Sequence, residues 1–284
     1  MKTVLSNSIL SATIKSDGAE LISLTNIQNN TEYIWEGNPN FWGKHSPVLF
    51  PIVGTLKNNA FEYEDKKYEL SRHGFARDHN FSVIEQTQTS VTYSLQATDA
   101  TKKVYPFEFE LHLIYILKGN KLVVEYKIIN NDTKKIPFSI GAHPAFALPN
   151  SFEKYSLAFE HQETLTCFTL ENDLLSDTTF EIELDNKKLP LTYATFENDA
   201  LIFKKLQSKS ITILEKNNPK LKIAFDDFQN LGIWTKPNAP FICIEPWLGY
   251  SDVVDASGKL IEKEGIQFVA VNETKSFQFQ IEIL

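Results

Sequence analysis

The sequence predicts an all-β protein, a large antiparallel β-sandwich, and three observations support that prediction. Apolar and polar residues alternate with a period of two over most of the chain, as in half-buried strands. Clusters of turn-forming residues such as Gln28–Asn30 and Ala256–Gly258 separate the alternating segments. No segment has the apolar spacing of a helix of three or more turns. Many short strands joined by turns form a sandwich or a barrel, and we expect one domain over residues 1–284.

The individual strands are predicted from alternation bounded by turn signals. They are Leu10–Lys15, Leu21–Thr25, Ser90–Gln96, Phe107–Leu117, Lys121–Asn130, Ser210–Glu215, Lys220–Phe225 and Ser276–Ile283. In the last of these, two phenylalanines and two isoleucines share one face, which we expect to be buried. Lys118–Asn120 predicts a hairpin turn and Asn217–Pro219 another turn. Only Asn38–Trp42 and Asp99–Lys103 favour a short helical turn.

Composition excludes several classes of partner. The 284 residues carry 28 Lys and Arg against 36 Asp and Glu, a net charge of −8, without the basic block that a nucleic-acid surface needs. No apolar run is long enough to cross a membrane, and Met1–Lys15 lacks the apolar core of a signal peptide. Cys167 and Cys243 have neither metal-ligand spacing nor a disulfide framework. We expect a cytoplasmic protein without a bound metal.

Glu245 is the most informative single residue. Alternation in Phe241–Glu245 places the carboxylate on the face that carries Phe241 and Cys243, where burial is costly unless the group is paired or functional. Pro246 lacks an N–H and is expected to end the strand, and Trp247 offers a flat apolar ring on which a sugar can stack. The alternative is a structural glutamate that accepts a hydrogen bond from a neighbouring strand.

Two histidines stand in similarly unusual surroundings. His143 lies between Gly141 and Pro144 in a shaped loop, and imidazole exchanges protons near neutrality, although a loop histidine satisfied by backbone is the simpler interpretation. His73 lies between Arg72 and Arg77, whose guanidinium groups can orient sugar hydroxyls or a phosphate. The alternative for that stretch is a solvated turn with surface ion pairs.

Other site classes lack their motifs. The chain has no glycine-rich phosphate loop, no His-Glu-x-x-His and no Cys-x-x-Cys. Phosphoryl transfer, hydride transfer and zinc hydrolysis are therefore poorly supported. A glycosidase with two catalytic carboxylates stays open, because any of 36 acidic residues can supply the second.

Together, these segments resemble the aldose 1-epimerase (galactose mutarotase-like) superfamily, and most closely its LacX-like bacterial branch. The motifs that carry the resemblance occur in the family's order along nearly the whole chain. They are Leu49–Gly54, His73–Arg77, Gly141–Phe146, Leu231–Thr235, Glu245–Trp247 and Asp255–Gly258. Several motifs in fixed order are far more specific than any one of them.

The resemblance implies a β-sandwich of the supersandwich type, with sugar bound on a concave sheet face. It assigns His143 as the general acid and Glu245 as the general base, and it places His73 near the ring oxygen of the sugar. Asp199 matches a substrate-binding aspartate of the family, and Arg77 an arginine that lines the pocket of the hexose-phosphate branch. It implies no cofactor, a small sugar or sugar phosphate as partner, and a monomer or homodimer.

One departure bears on the substrate. Hexose 6-phosphate epimerases resemble Arg-Gly-Gly-x-Pro where this chain has Gly43–Pro47, so Lys44 is the candidate substitute for the arginine. The sequence therefore predicts an isomerase, an aldose 1-epimerase acting on a hexose. The alternatives are a hexose 6-phosphate 1-epimerase and a sugar-binding protein without turnover, because a fold does not fix a function.

Overall fold

The computed structural model describes every residue from Met1 to Leu284 and consists mainly of antiparallel strands. The strands are β1 (Lys2–Ser6), β2 (Leu10–Lys15), β3 (Glu20–Asn26), β4 (Thr31–Glu32), β5 (Val48–Leu49), β6 (Ala60–Tyr63), β7 (Lys66–Glu69), β8 (Ser82–Gln86), β9 (Ser90–Gln96), β10 (Phe109–Lys118), β11 (Lys121–Asn130), β12 (Ile136–Phe138), β13 (Ile140–Ala142), β14 (Ala145–Ala147), β15 (Tyr155–Phe159), β16 (Thr164–Glu171), β17 (Leu174–Glu183), β18 (Lys188–Pro190), β19 (Leu201–Phe203), β20 (Ser210–Glu215), β21 (Asn218–Ala224), β22 (Asn230–Trp234), β23 (Phe241–Leu248), β24 (Gln267–Val269) and β25 (Thr274–Ile283). The helices are all short: α1 (Asp99–Lys102) and 3-10 turns at Lys57–Asn59, Ala76–Asp78, Phe152–Lys154, Tyr193–Phe196 and Leu260–Glu262. None of them combines the length and the apolar character that spanning a membrane requires.

Two large sheets organise the chain. One has nine strands in the order β18-β15-β20-β21-β25-β11-β10-β9-β8. The other has eight, in the order β17-β16-β19-β22-β23-β13-β5, with β14 also paired to β23. A four-stranded sheet, β1 to β4, and two two-stranded sheets complete the fold. The prediction of a large antiparallel β-sandwich is confirmed.

Most predicted strands form where alternation and turns place them. β10 and β11 close over Gly119, whose φ of +60° is one that a side chain disfavours, so Lys118 pairs with Lys121. The turn expected at Asn217–Pro219 is shifted, because Lys216 and Asn217 take the positive φ angles and β21 already begins at Asn218. Asparagine tolerates that conformation, and Pro219 is accommodated inside the strand.

The two large sheets share one hydrophobic core. A single cluster of 66 buried residues includes Tyr126 and Ile281 of the nine-stranded sheet and Ile242 and Ile244 of the eight-stranded sheet. Each aliphatic side chain buried in this way stabilises the fold by roughly 1.5–3 kcal/mol. The concentration of apolar contacts between the sheets makes them a rigid support for the site.

β23 has two differently used faces. Ile242 and Ile244 point into the shared core, whereas Phe241 and Cys243 belong to a separate small cluster on the other face, as alternation predicts. Glu245 therefore projects away from the main core, on the face that carries the candidate site.

Pro246 does not end this strand, contrary to the sequence expectation. β23 continues to Leu248, and Pro246 lies opposite Leu231 on β22. The N–H of Ile244 donates to the carbonyl of Pro144, and residues two apart along a strand direct their backbone nitrogens to the same side. The side of β23 on which Pro246 lacks an N–H therefore faces the break between β13 and β14. The ladder is already interrupted there, so the missing N–H leaves few partners unpaired.

Glu20 fixes the segment before β5. Its carboxylate is 2% exposed, lies 2.6 Å from the ammonium of Lys15, and accepts the backbone N–H groups of His45 and Ser46 at 2.6 and 3.0 Å. Burial alone would raise the pKa of Glu20, but hydrogen bonds from His45 and Lys15 outweigh it and lower the pKa to about 2. The segment held in this way carries Trp42 to the candidate site.

Glu20→Gln is expected to lower the free energy of unfolding near neutral pH by about 3 kcal/mol, the equivalent of a pKa shift from 4.5 to about 2. Because the folded pKa is depressed, the stabilisation is complete above pH 4.5 and is lost as the pH falls through about 2. Urea denaturation of the unmodified protein and of Glu20→Gln over this pH range measures the difference in the free energy of unfolding. The two plots of that free energy against pH should converge in acid. A difference that stays constant with pH would contradict the assignment. Glu64→Gln, in an exposed pair with Lys134, is the control and should change stability by about 1 kcal/mol or less.

Candidate active site

His143 and Glu245 lie side by side because of strand register. The glycine two residues before His143 pairs with the tryptophan two residues after Glu245, on β13 and β23. The alanine two residues after His143 pairs with the cysteine two residues before Glu245, on β14 and β23. The register is therefore the same on both sides of the break, and His143 faces Glu245 across it. Nε2 of His143 is 3.3 Å from Oε2 of Glu245.

The pair is buried and incompletely hydrogen-bonded. Glu245 is 2% and His143 9% exposed, and neither Oε2 of Glu245 nor Nδ1 of His143 has a hydrogen-bond partner within the protein. Buried polar atoms without partners are rare, and they are frequent where a ligand or a proton transfer supplies the partner. The geometry thus suits groups that act on something entering from the cavity.

Burial sets the proton balance of the pair. It raises the pKa of Glu245 well above its usual range, an effect that the positive charge of Arg72 opposes and the negative charge of Asp199 reinforces. Burial also lowers the pKa of His143 to about 3, and the charges of Arg77 and Arg72 act in the same direction. Two coupled groups titrate as a unit. Burial therefore favours the uncharged form of both side chains, a protonated carboxyl on Glu245 and a neutral imidazole on His143.

His73 is buried in the wall of the site and is contacted at both ring nitrogens. The residue has a φ of +68°, and the backbone N–H of Gly54 donates to its Nδ1 at 3.1 Å. Burial lowers the pKa of His73 well below its usual value, and the positive charges of Arg72 and Arg77 act in the same direction, so the ring is neutral near pH 7. A neutral ring that accepts at Nδ1 carries its proton on Nε2.

Arg72 contacts the second ring nitrogen of His73, Nε2. The N–H at Nε of Arg72 is directed at Nε2 of His73 over 3.3 Å, and the N–H of Gly54 at Nδ1, but a neutral ring can accept only one of these two hydrogen bonds. In the tautomer that accepts from Gly54, the Arg72 N–H needs another acceptor, such as an oxygen of a ligand. The far end of Arg72 pairs with Asp173 at 3.0 Å, which ties it to the turn between β16 and β17.

Arg77 lies deeper in the same wall. Its Nη2 donates to the carbonyl of Arg72 at 2.9 Å, while its buried Nε has no hydrogen-bond partner and lies 3.7 Å from the carboxylate of Asp78. Asp78 also binds Lys44 at 2.8 Å. Lys44 therefore neutralises Asp78 on the outside of the wall rather than reaching the site.

Three tryptophans surround the histidine and the carboxylate. Trp42 stacks on the ring of His143 with centroids 4.7 Å apart, and Trp234 meets His143 edge-on at 5.7 Å. A Cβ at Gly141 or Gly232 would come within 2.5 Å of the indole of Trp247, so only glycine on the two flanking strands lets this ring lie across the sheet. The tryptophans form apolar walls and a floor of the kind that sugar rings pack against.

These side chains line one cavity of about 360 Å³. Its lining comprises Phe41, Trp42, Gly54, Arg72, His73, Arg77, His143, Leu170, Asp199, Ala200, Ile202, Trp234, Lys236, Glu245, Trp247 and Ser251. The cavity brings together seven of the eight residues predicted from the sequence, and Lys44 is the exception. Asp199 lines the cavity and has a backbone φ of +83°. Its carboxylate accepts a hydrogen bond from the backbone N–H of Ala200 at 2.8 Å.

Sequence reasoning did not nominate several lining residues. Trp42 follows a polar turn with no neighbouring chemistry to mark it, and Trp234 lies on an ordinary alternating strand. Lys236 and Ser251 lie in loops, and the Ser251 hydroxyl is already an acceptor for the N–H of Thr55. Of these residues, only Trp234 could have been nominated from the sequence, because it lies in Leu231–Thr235, one of the motifs that carry the family resemblance.

A metal-ligand set also occurs beside the cavity. A ring nitrogen of His143, Sγ of Cys243 and a carboxylate oxygen of Glu245 lie within 4.8 Å of one another. Cys243 is fully buried and is not part of the cavity lining. The cysteine spacing in the sequence gave no indication of this set.

The chain is similar to known proteins along its whole length. Residues 1–266 match the model of the family Aldose 1-epimerase. The plasmid and chromosomal forms of protein LacX from Lactococcus lactis subsp. lactis are each 34% identical over a 302-residue alignment that covers 100% of both chains.

Solved structures agree with the sequence comparisons. A galactose mutarotase related enzyme from Lactobacillus acidophilus matches with a TM-score of 0.95 and 31% identity, over 100% of this chain and 97% of the other. A galactose mutarotase-like protein from Lactobacillus casei matches with a TM-score of 0.92 and 29% identity, over 100% of both chains. A putative aldose 1-epimerase from Escherichia coli K12 shares the fold, with a TM-score of 0.77 at 15% identity and 100% and 99% coverage.

Proposed function

Because the chain belongs to the aldose 1-epimerase family, we propose that it is an isomerase that interconverts the α and β anomers of a hexose. The observation that carries the proposal is the buried pair of His143 and Glu245 at 3.3 Å, which opens onto a cavity lined by aromatic rings and hydrogen-bond donors. Anomer exchange needs one proton donor and one proton acceptor on the same sugar. The pair holds one proton, which meets that requirement.

The mechanism follows from the proton count. In this mechanism, sugar binding transfers the carboxyl proton of Glu245 to His143, whose Nε2 lies 3.3 Å from Oε2 of Glu245. Glu245 then removes the proton of the anomeric hydroxyl while His143 protonates the ring oxygen, and the bond between the ring oxygen and the anomeric carbon breaks.

Ring closure reverses the same steps. Rotation about the bond to the anomeric carbon presents the other face of the aldehyde, and the hydroxyl attacks it. His143 takes its proton back from that hydroxyl, and Glu245 returns a proton to the carbonyl oxygen. The reaction consumes no electron and no group, so its balance is complete within the sugar and the two side chains.

His73 and Arg72 are proposed to hold an oxygen of the sugar near the reacting bond. In the tautomer of His73 that accepts from Gly54, Nε2 of His73 and Nε of Arg72 both carry hydrogens 3.3 Å apart, and a sugar oxygen is the acceptor that they lack. Because His73 is neutral, it binds without competing for the catalytic proton. Trp247 provides the apolar floor on which the C–H face of the ring packs.

A hexose 6-phosphate is the second candidate substrate, supported by the cations Arg72, Arg77 and Lys236 in the cavity lining. A forked, charge-assisted contact to phosphate contributes about 1.5–3 kcal/mol. The ion pair between Lys44 and Asp78 argues against this substrate, because Lys44 is not free to replace the missing arginine. We therefore favour an unphosphorylated hexose.

Arg77→Ala is expected to weaken glucose 6-phosphate binding about ten- to a hundredfold more than glucose binding, because one guanidinium contact to phosphate would be lost. Affinities for the two ligands at fixed salt and pH measure the ratio. Lys44→Ala is the control, since Lys44 lies outside the cavity, and its ratio should equal that of the unmodified protein. Equal losses for both ligands in Arg77→Ala would show that Arg77 supports the loop or the sugar rather than a phosphate.

Optical rotation tests the proposed function. Freshly dissolved α-D-glucose and α-D-galactose should reach their equilibrium rotation faster in the presence of the protein, in proportion to its concentration. A sugar-binding protein without turnover would bind but leave the spontaneous rate unchanged. Running the same assay on free and phosphorylated hexoses identifies the preferred substrate.

A further inference from the structure

Cys243 has no part in the proposed chemistry, although it lies beside both catalytic groups. Its thiol, a ring nitrogen of His143 and a carboxylate oxygen of Glu245 are mutually within 4.8 Å. The carboxylate oxygen Oε2 of Glu245, on a side chain that is 2% exposed, has no hydrogen-bond partner. Three potential ligands, one of them from a carboxylate with an unsatisfied buried oxygen, are the features of a cation site.

We propose that His143, Cys243 and Glu245 form a reversible zinc site whose occupancy excludes sugar from the cavity. Nitrogen, thiolate and carboxylate oxygen are the three ligand types of protein-bound zinc, and a thiolate disfavours magnesium and calcium. Three protein ligands leave a fourth position for water, which here faces the cavity.

The ligand spacing is close to what a tetrahedral zinc ion requires. Two ligands at about 2.1 Å from such an ion lie about 3.4 Å apart. The observed separation of Nε2 of His143 and Oε2 of Glu245 is 3.3 Å. The thiol lies within 4.8 Å of both and needs to approach by about 1 Å, which rotation of the cysteine side chain can supply.

The cavity provides the route of entry. His143 and Glu245 line it, whereas Cys243, two residues before Glu245 on the same face of β23, does not. An ion from solvent thus meets two ligands before the third. Coordination occupies the lone pairs that would otherwise accept and donate the catalytic proton, so a zinc-bound protein cannot exchange anomers.

Binding displaces protons to the solvent. The Cys243 thiol must lose its proton to coordinate, and the shared proton of the His143 and Glu245 pair must also leave, because both groups then donate lone pairs to the ion. Zinc affinity should therefore rise with pH. Calorimetry in buffers of different ionisation enthalpy counts the released protons, and we expect about two per zinc ion near neutrality.

The decisive experiment measures zinc affinity by competition with a chromophoric chelator, for the unmodified protein, Cys243→Ala and Cys167→Ala. Cys167 is equally buried but lies on β16, which β19 and β22 separate from β23 in the sheet, so it is the matched control. Cys243→Ala should lose at least about a hundredfold in affinity, since losing even an outer partner of a ligand costs about 10–100-fold. Cys167→Ala should bind as the unmodified protein does. Equal affinities for all three proteins would overturn the proposal.

A second readout needs no variant. Co²⁺ bound in place of zinc should produce the intense near-ultraviolet absorption of a cobalt–thiolate bond, and saturating sugar should suppress it. Absence of that band when cobalt binds would show that Cys243 is not a ligand.

The inhibition rests on the proposed function, whereas zinc binding does not, and the two can fail separately. Zinc should stop anomerisation by the unmodified protein, a chelator should restore it, and Cys243→Ala should keep its turnover in zinc. Cysteine-dependent zinc binding by a protein without anomerisation would refute the proposed function and leave the site intact. Full activity in saturating zinc would refute the inhibition.

Discussion

Glu245→Gln is expected to lower the rate of anomerisation by about a hundred- to ten-thousandfold, the usual effect of losing a general acid or base. Glutamine keeps the shape of the side chain but cannot carry the proton that the pair shares. Because Glu245 is buried beside His143, no solvent molecule readily takes its place. Polarimetry at saturating sugar measures the loss.

Sugar affinity is the control for this variant. Three of the four tryptophans, Trp42, Trp234 and Trp247, line the cavity, so intrinsic fluorescence should report binding. Glu245→Gln should bind sugar within a few-fold of the unmodified protein, and it should fold normally because it removes a costly buried acid. Near-normal turnover by Glu245→Gln would exclude Glu245 as a proton carrier.

His143→Asn is expected to reduce kcat by a similar factor, about a hundred- to ten-thousandfold, while changing sugar affinity much less. Asparagine cannot exchange protons, so ring opening loses its acid and ring closure its base. The measurement is kcat and KM from initial rates, together with affinity from tryptophan fluorescence. Equal loss of binding and turnover would make His143 a binding residue rather than a proton carrier.

The stacking of Trp42 on His143 calls for a separate control. His143→Asn removes that stacking along with the proton chemistry, so Trp42→Leu should be measured beside it. Trp42→Leu removes the stacking and keeps the imidazole. A much smaller fall in kcat for Trp42→Leu would attribute the effect of His143→Asn to the proton.

Much of the fold could be predicted because strands leave local signals. β2, β9, β11 and β20 begin and end at the predicted residues, since alternation and turn residues act within a few positions of each other. Pro246 was misjudged because its effect depends on the neighbouring strand. A proline ends a ladder only where a partner needs its N–H, and at this position β13 and β14 are interrupted.

The site could be predicted only in part from local sequence. Alternation in β23 placed Glu245 correctly on the face with Cys243, but the pairing of Glu245 with His143 depends on a register between segments about a hundred residues apart. The resemblance to a family supplied that connection. The presence of Trp42 in the cavity and the position of Lys44 outside it depend on how loops pack. Local sequence patterns do not indicate that packing.

The most direct test of the central claim is the exchange rate between the two anomers of a hexose at equilibrium, measured by magnetisation transfer in proton NMR. At equilibrium no net reaction occurs, so the rate reports ring opening and closure alone. We predict that catalytic amounts of the unmodified protein accelerate exchange in proportion to concentration, and that His143→Asn with Glu245→Gln in one chain returns it to the spontaneous rate. Exchange that remains accelerated in this double variant would contradict the account.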